Sequence, residues 1–147
     1  MSGVIKESCS EGGQNIGAFD VNDWMSYTVN IPVTGTYKVS YRVSSIYANK
    51  SIRLEKDNGA THIGTATLIS STGSGQNWTT ITDEVTLTAG QYSIGLTTST
   101  GGINLNWFEI SNDLSGARLI LDEASTEGSL FYPNPAKDIL IIRNSFN

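Results

Sequence analysis

The sequence predicts an all-β chain, an antiparallel β-sandwich of jelly-roll type followed by a short extended C-terminal tail. Three observations carry that reading. Apolar and polar residues alternate with period two in one stretch after another before residue 110. Glycine-containing turn pairs stand between these stretches, and no helical period separates them. Strands at such spacing, each with one face in a core and the other in water, pack as two antiparallel sheets.

In chain order, Met25, Tyr27, Val29 and Ile31 are apolar, while Trp24, Ser26, Thr28 and Asn30 fall on the opposite face. Pro32 follows at the strand end. Tyr37, Val39, Tyr41 and Val43 alternate with Thr36, Lys38, Ser40 and Arg42. Ile52 and Leu54 then alternate with Arg53 and Glu55, and Val85 and Leu87 with Thr86 and Thr88. Tyr92, Ile94 and Leu96 alternate with Ser93 and Gly95, and Ile103, Leu105 and Trp107 with Asn104, Asn106 and Phe108. Between them Gly12-Gly13, Thr34-Gly35, Asn58-Gly59, Gly73-Ser74-Gly75, Ala89-Gly90 and Gly101-Gly102 supply turn conformations. Residues 111–130 lose the periodicity and read as a linker, with Leu119-Ile120-Leu121 its apolar patch. Pro133 and Pro135 mark a new segment over 131–147. The sandwich therefore occupies residues 1–110.

Composition excludes several functions. The 147 residues include three Trp, six Tyr and four Phe, enough for a core in one domain. Fourteen acidic residues against nine Lys and Arg give a net charge of −5, and no basic cluster exists to hold nucleic acid. No apolar run reaches the roughly 20 residues of a membrane span. One cysteine and one histidine, Cys9 and His62, furnish neither an intramolecular disulfide nor a Cys/His zinc set. Serine and threonine supply 34 residues, so hydroxyls rather than charges make the polar surface. Met1-Ser2-Gly3 opens no signal segment, and Asn147 follows closely on apolar Ile139–Ile142 without a partner sequence. The expectation is a fragment of a longer chain.

Catalysis finds little support. His62 lies in Gly59-Ala60-Thr61-His62-Ile63-Gly64 with no surrounding motif, as a surface histidine would. Asp83-Glu84 and Asp122-Glu123 are adjacent pairs, which a strand would point to opposite faces rather than into one cleft. Cys9 has no basic neighbour poised to activate it. No catalytic residue and no catalytic cofactor are expected.

Binding does better, because two tryptophans sit where a core residue would not. Trp24 belongs to the polar face of its strand, beside Ser26 and Thr28. Trp78 lies in the Gly- and Ser-rich stretch Thr72–Thr80. An exposed indole offers a flat face to the C–H side of a pyranose ring, and neighbouring amides or carboxylates can bond its hydroxyls. Asn104 and Asn106 share one face of the last strand and could act so. Trp24 fits equally a strand-edge residue covering the sandwich end.

Several short motifs, in order, resemble family 6 carbohydrate-binding modules. They are Met1-Ser2-Gly3-Val4 with Glu7, Glu11-Gly12-Gly13-Gln14-Asn15-Ile16-Gly17, and Asp23-Trp24-Met25-Ser26-Tyr27-Thr28-Val29. Gly35–Val43, Asn77-Trp78-Thr79-Thr80 and Gly101–Phe108 continue the likeness. The resemblance implies a non-catalytic β-sandwich appended to a secreted glycoside hydrolase or lyase, binding a polysaccharide such as agarose, β-glucan or xylan. A structural or adhesive surface module without sugar binding is the alternative. In the family, sugar commonly binds in a loop-end cleft between two aromatics, with a glutamate and an asparagine beside them. Trp78 matches the second aromatic, Glu7 the glutamate and Asn104 the asparagine. The first aromatic's place is Ala18, which leaves Phe19 or Tyr47 to supply that platform. Trp24 corresponds to a tryptophan of a second cleft used by some members. The resemblance also implies a structural calcium ion. The family's first strand, whose carboxylates help hold it, is absent, so that site is expected to be incomplete, with Asn106 near one ligand position.

The tail has a likeness of its own. Phe131-Tyr132-Pro133-Asn134-Pro135-Ala136-Lys137-Asp138 with Ile139–Ile142 resembles the start of the C-terminal sorting domain of type IX secretion in Bacteroidetes-like bacteria. Its prolines fix a turn before a strand. This resemblance implies a secreted or cell-surface parent protein, with the sorting domain cut short.

Overall fold

A computed structural model describes residues 3–112 and the backbone of residues 139–140. The strands are β1 (Ile5–Ser8), β2 (Gln14–Phe19), β3 (Trp24–Ile31), β4 (Gly35–Ser44), β5 (Lys50–Lys56), β6 (Thr61–Leu68), β7 (Thr79–Leu87), β8 (Gly90–Thr97), β9 (Ile103–Ser111) and β10 (Ile139–Leu140). They form two sheets, one in the order β1-β2-β9-β4-β7 and the other β3-β8-β5-β6, with every pairing antiparallel. The expected sandwich is present, and each alternating stretch named above is a strand, but in β9 a register shift opposite Arg42 and Val43 reverses the expected parity, so that Phe108 rather than Trp107 is buried.

The inward face of each strand makes the core. Met25, Val29 and Ile31 of β3, Ile52 and Leu54 of β5, and Ile94 and Leu96 of β8 are buried beneath one sheet. Val39, Tyr41 and Val43 of β4 and Leu105, Phe108 and Ile110 of β9 are buried beneath the other. Phe108 lies between Tyr27 and Tyr41, its ring centroid 5.1 Å and 6.5 Å from theirs. The Tyr41 hydroxyl is buried without a hydrogen-bond partner, and burial, with nearby Asp83, pushes its ionisation well above the ordinary tyrosine range.

Strands β1, β2 and β6 were not legible in the sequence. β1 is an edge strand whose Ile5 is exposed, so it carries no alternation. In β2 the pairing runs Ile16↔Leu105 and then Phe19↔Ile103, three steps on one strand against two on the other. The extra residue is accommodated with Ala18 in the left-handed region, at φ 47°. A bulge of this kind reverses the inward–outward parity. Phe19 is consequently 0% exposed in the core, and its assignment to a sugar platform is overturned. β6 has a register shift opposite Leu54 and Glu55, and His62 is an exposed strand residue within it.

At one end of the sandwich the loops 20–23, 45–49, 69–78 and 98–102 are tied together. Gly102 N donates to Asp20 Oδ1 at 2.7 Å, Ser45 Oγ to Gly102 O at 2.6 Å, and Thr72 N to Ser45 O at 2.9 Å. β9 runs through Ser111, and β10 pairs with it at Ile110 and Ser111. Otherwise the linker and sorting-domain segments lie outside the described residues.

Candidate functional site

Glu7 and Asn104, expected to face a ligand at the loop end, face each other. Glu7 Oε1 accepts from Asn15 Nδ2 at 2.9 Å, Gln76 Nε2 at 3.0 Å and Asn104 Nδ2 at 3.2 Å. Asn104 Nδ2 also donates to Gly75 O at 2.8 Å, and its Oδ1 accepts from Ala18 N at 2.9 Å. Gln76 Oε1 accepts from Ser10 N at 2.8 Å, and Asn15, fully buried, accepts from Gln76 through Oδ1 at 3.1 Å. These amides and this carboxylate therefore stitch β1, β2, β9 and the 69–78 loop into one knot. Gln76, which the sequence reading did not single out, is its hub.

Trp78 borders that knot, half-buried, with Nε1 donating to Ser10 Oγ at 3.0 Å. Its other side, with Asn77, Leu68 and Ser70–Thr72, lines a shallow pocket of about 370 Å³. Tyr47 is exposed on the next loop, where its ring lies over Gly102 and under the Lys50 ammonium, 5.0 Å from the centroid. Asn106 Nδ2 donates to Glu11 Oε2 at 2.9 Å, and Glu11 also pairs with Arg42.

Trp24 has a different setting. It stands 45% exposed on the outer face of the four-stranded sheet, where the parity that buries Met25 turns its neighbours outward. Registers across β3, β8 and β5 place Trp24, Thr97 and Arg53 in one row, and Ser26, Gly95 and Glu55 in the next. A groove of about 680 Å³ runs over these rows, closed at its margins by Val21, Asn22, Asn58 and Gly59. Glu55 Oε1 accepts from Thr97 Oγ1 at 3.3 Å and lies 3.3 Å from Arg53 Nη2. Arg53 Nε is buried without a hydrogen-bond partner. An exposed indole beside a carboxylate, a guanidinium and hydroxyls suits one chemistry: stacking on a pyranose face with hydrogen bonds to its hydroxyls.

A family model described as carbohydrate binding module (family 6) matches residues 1–112. The chain belongs to this family. Its function is carbohydrate binding, and its members are non-catalytic. Among solved structures, the C-terminal family 6 module of LamC, a marine laminarinase from Zobellia galactanivorans, is 40% identical with a TM-score of 0.70, over 74% of this chain and 88% of that one. The family 6 module from Cellvibrio mixtus lichenase 5A, solved with cellotriose, is 41% identical with a TM-score of 0.71, over 76% of this chain and 88% of that one. A curated relative, the clotting factor G alpha subunit of Tachypleus tridentatus, is 33% identical over 101 residues, which span 68% of this chain and 15% of that protein. Modules of this kind usually belong to extracellular proteins, and no helix among the described residues is long and apolar enough to cross a membrane.

Calcium, which the resemblance implies, takes backbone and amide carbonyls as well as carboxylates. Among the described residues no group of three or more His, Cys, Asp or Glu side chains converges. Asp20 and Asp23 instead accept from backbone amides, Gly102 N and Asp20 N, at 2.7 and 2.9 Å. Glu55, Arg53 and Gly95 were not among the site residues expected from the sequence. Their outward parity was readable, but nothing local announces that β5 and β8 lie beside Trp24.

Proposed function

We propose that this module binds a neutral polysaccharide, a β-glucan first, in the groove over β8, with Trp24 as the stacking platform and Glu55 with Arg53 orienting hydroxyls. One observation carries the reading: Trp24 is exposed in the larger groove, whereas Asn104 and Gln76 both donate to Glu7. The cellotriose complex of a 41% identical module supports the glucan choice. Asp23 and Glu55 outnumber Arg53 in the groove, and the chain carries −5, which disfavours polyanions. Glu7 and Asn104 then hold the loop end in shape, and Trp78 offers a lesser platform over its own pocket.

The module would keep an attached polysaccharide-degrading enzyme on its substrate. Single-site affinity of about 10 μM to 1 mM, roughly −4 to −7 kcal/mol, suffices when tethering raises the effective concentration. The Tyr132–Ala136 motif supports export of the parent protein by type IX secretion to the cell surface or medium. Comparing the surface fraction of that protein with and without its C-terminal region, in a host with this pathway, tests the route.

The binding test is affinity electrophoresis through gels of laminarin, barley β-glucan, xylan, agarose and alginate. A β-glucan gel retards the parent, alginate does not, Trp24→Ala abolishes retardation and Trp78→Ala largely keeps it. Loss in Trp78→Ala with retention in Trp24→Ala moves the site to the loop end. No retardation in any gel leaves a structural or adhesive module.

A further inference from the structure

Glycine in a strand interior weakens the strand, so each one asks for a reason. Two reasons are visible in this molecule. At Gly17 a Cβ would lie 2.5 Å from Glu7 Cδ, and at Gly64 it would lie 2.2 Å from Asp83 Oδ2, so packing excludes a side chain at both. Elsewhere a left-handed backbone requires glycine, as at Gly59, with φ 87°.

Gly95 has neither reason. It lies inside β8, outside the left-handed region, and the nearest atoms to a Cβ there would be Met25 O at 3.8 Å and Glu55 Cβ and O at 3.9 Å. Those are ordinary contacts, which the fold tolerates without adjustment. Because Ile94 and Leu96 point into the core, a side chain at 95 would point outward. Its cross-strand partners are Ser26 on one side and Glu55 on the other, so it would stand in the groove.

We propose that Gly95 is a specificity-determining position, kept without a side chain so that a pyranose ring can settle against β8. This rests on the groove reading above. Two interstrand spacings of about 4.8 Å separate the wall that carries Trp24 and Ser26 from the wall that carries Arg53 and Glu55. A ring standing over Gly95 presents one face to the indole and its opposite edge to the Glu55 carboxylate. A branched side chain at 95 would occupy that space and lift the ring away from both.

The test compares Gly95→Ala, Gly95→Val and Trp24→Ala with the parent, by thermal melting and by electrophoresis through barley β-glucan and laminarin gels. Both glycine variants are expected to melt at or above the parent, since the backbone there suits any residue and β-branched residues favour strands. Gly95→Val is expected to lose affinity by about tenfold or more, with Gly95→Ala between it and the parent. Parental binding by Gly95→Val, with binding lost in Trp24→Ala, overturns the proposal and leaves the groove in place. Clear destabilisation in both glycine variants also overturns it, because the glycine then serves the fold. Parental binding by Trp24→Ala, or no retardation of the parent, removes the groove reading and this inference with it.

Discussion

At the loop end, Glu7 Oε1 receives three amide donors, from Asn15, Gln76 and Asn104, and the amides are engaged in turn with Ser10, Gly75 and Ala18. On the outer face of the four-stranded sheet, Glu55 Oε1 takes a hydroxyl and a guanidinium at 3.3 Å each, beside an open groove and an exposed indole. Both regions hold a glutamate, a tryptophan and hydroxyl-bearing neighbours. They differ in what already occupies the polar groups. A carboxylate oxygen that takes three internal amide bonds helps to hold the fold, and breaking those bonds to admit a sugar costs about what the sugar returns. A carboxylate oxygen with one hydroxyl and one guanidinium beside a groove has acceptor capacity left for a ligand hydroxyl. Residue type alone therefore does not distinguish a binding site from a structural knot.

The contrast can be broken in several ways, and the largest effect belongs to Phe19. If its ring is core, Phe19→Ala lowers unfolding free energy by about 3–5 kcal/mol in urea titrations. A small change in stability with a loss of sugar binding would return it to the surface. Next is Glu7→Ala, which leaves donors of Asn15, Gln76 and Asn104 without their shared acceptor. It is expected to cost about 2 kcal/mol of stability while leaving β-glucan affinity of the folded protein unchanged. Parental stability with lost affinity would make the loop end the site.

The smallest effect tests the polar surface beyond both regions. The Arg42 guanidinium beside Glu11 holds that carboxyl below its ordinary range, with desolvation working the other way and Asn106 assisting. A lowered folded-state value means the contribution is present above the unfolded carboxylate's range and is lost as pH falls through the folded one. The Arg42 and Glu11 side chains are 26% and 34% exposed, so solvent screening keeps the effect under about 1 kcal/mol. The stability difference between the parent and Glu11→Gln should therefore be present at pH 6 and vanish at the acid end. A difference that persists in strong acid would assign it to packing.

Much of the fold was legible because alternation is a local property. β3, β4, β5, β7 and β8 each announce their buried face through two or more residues spaced by two, and β9 does so only as far as Leu105, before its register shift buries Phe108. β2 was not readable because its bulge depends on pairing with β9, and that pairing decides where Phe19 points. Trp24 was recognisable as a surface aromatic by parity alone. Glu7, Asn104 and Trp78 were found as chemistry, but only contact shows that Gln76 bonds Glu7, Asn15 and Ser10 beside them.

The amino-acid sequence by itself determined the fold class, the family and the exposed aromatic of the candidate groove, because strand parity and motif order are written within a few residues. The tertiary structure alone decided which polar groups are engaged and which stand beside open space. Ser26, Gly95 and Glu55 come from three strands separated by tens of residues, and their alignment exists only once β3, β8 and β5 are side by side. Hydrogen-bond satisfaction is likewise a property of neighbours in space, which is why one glutamate meets three amides and another stands beside an open groove.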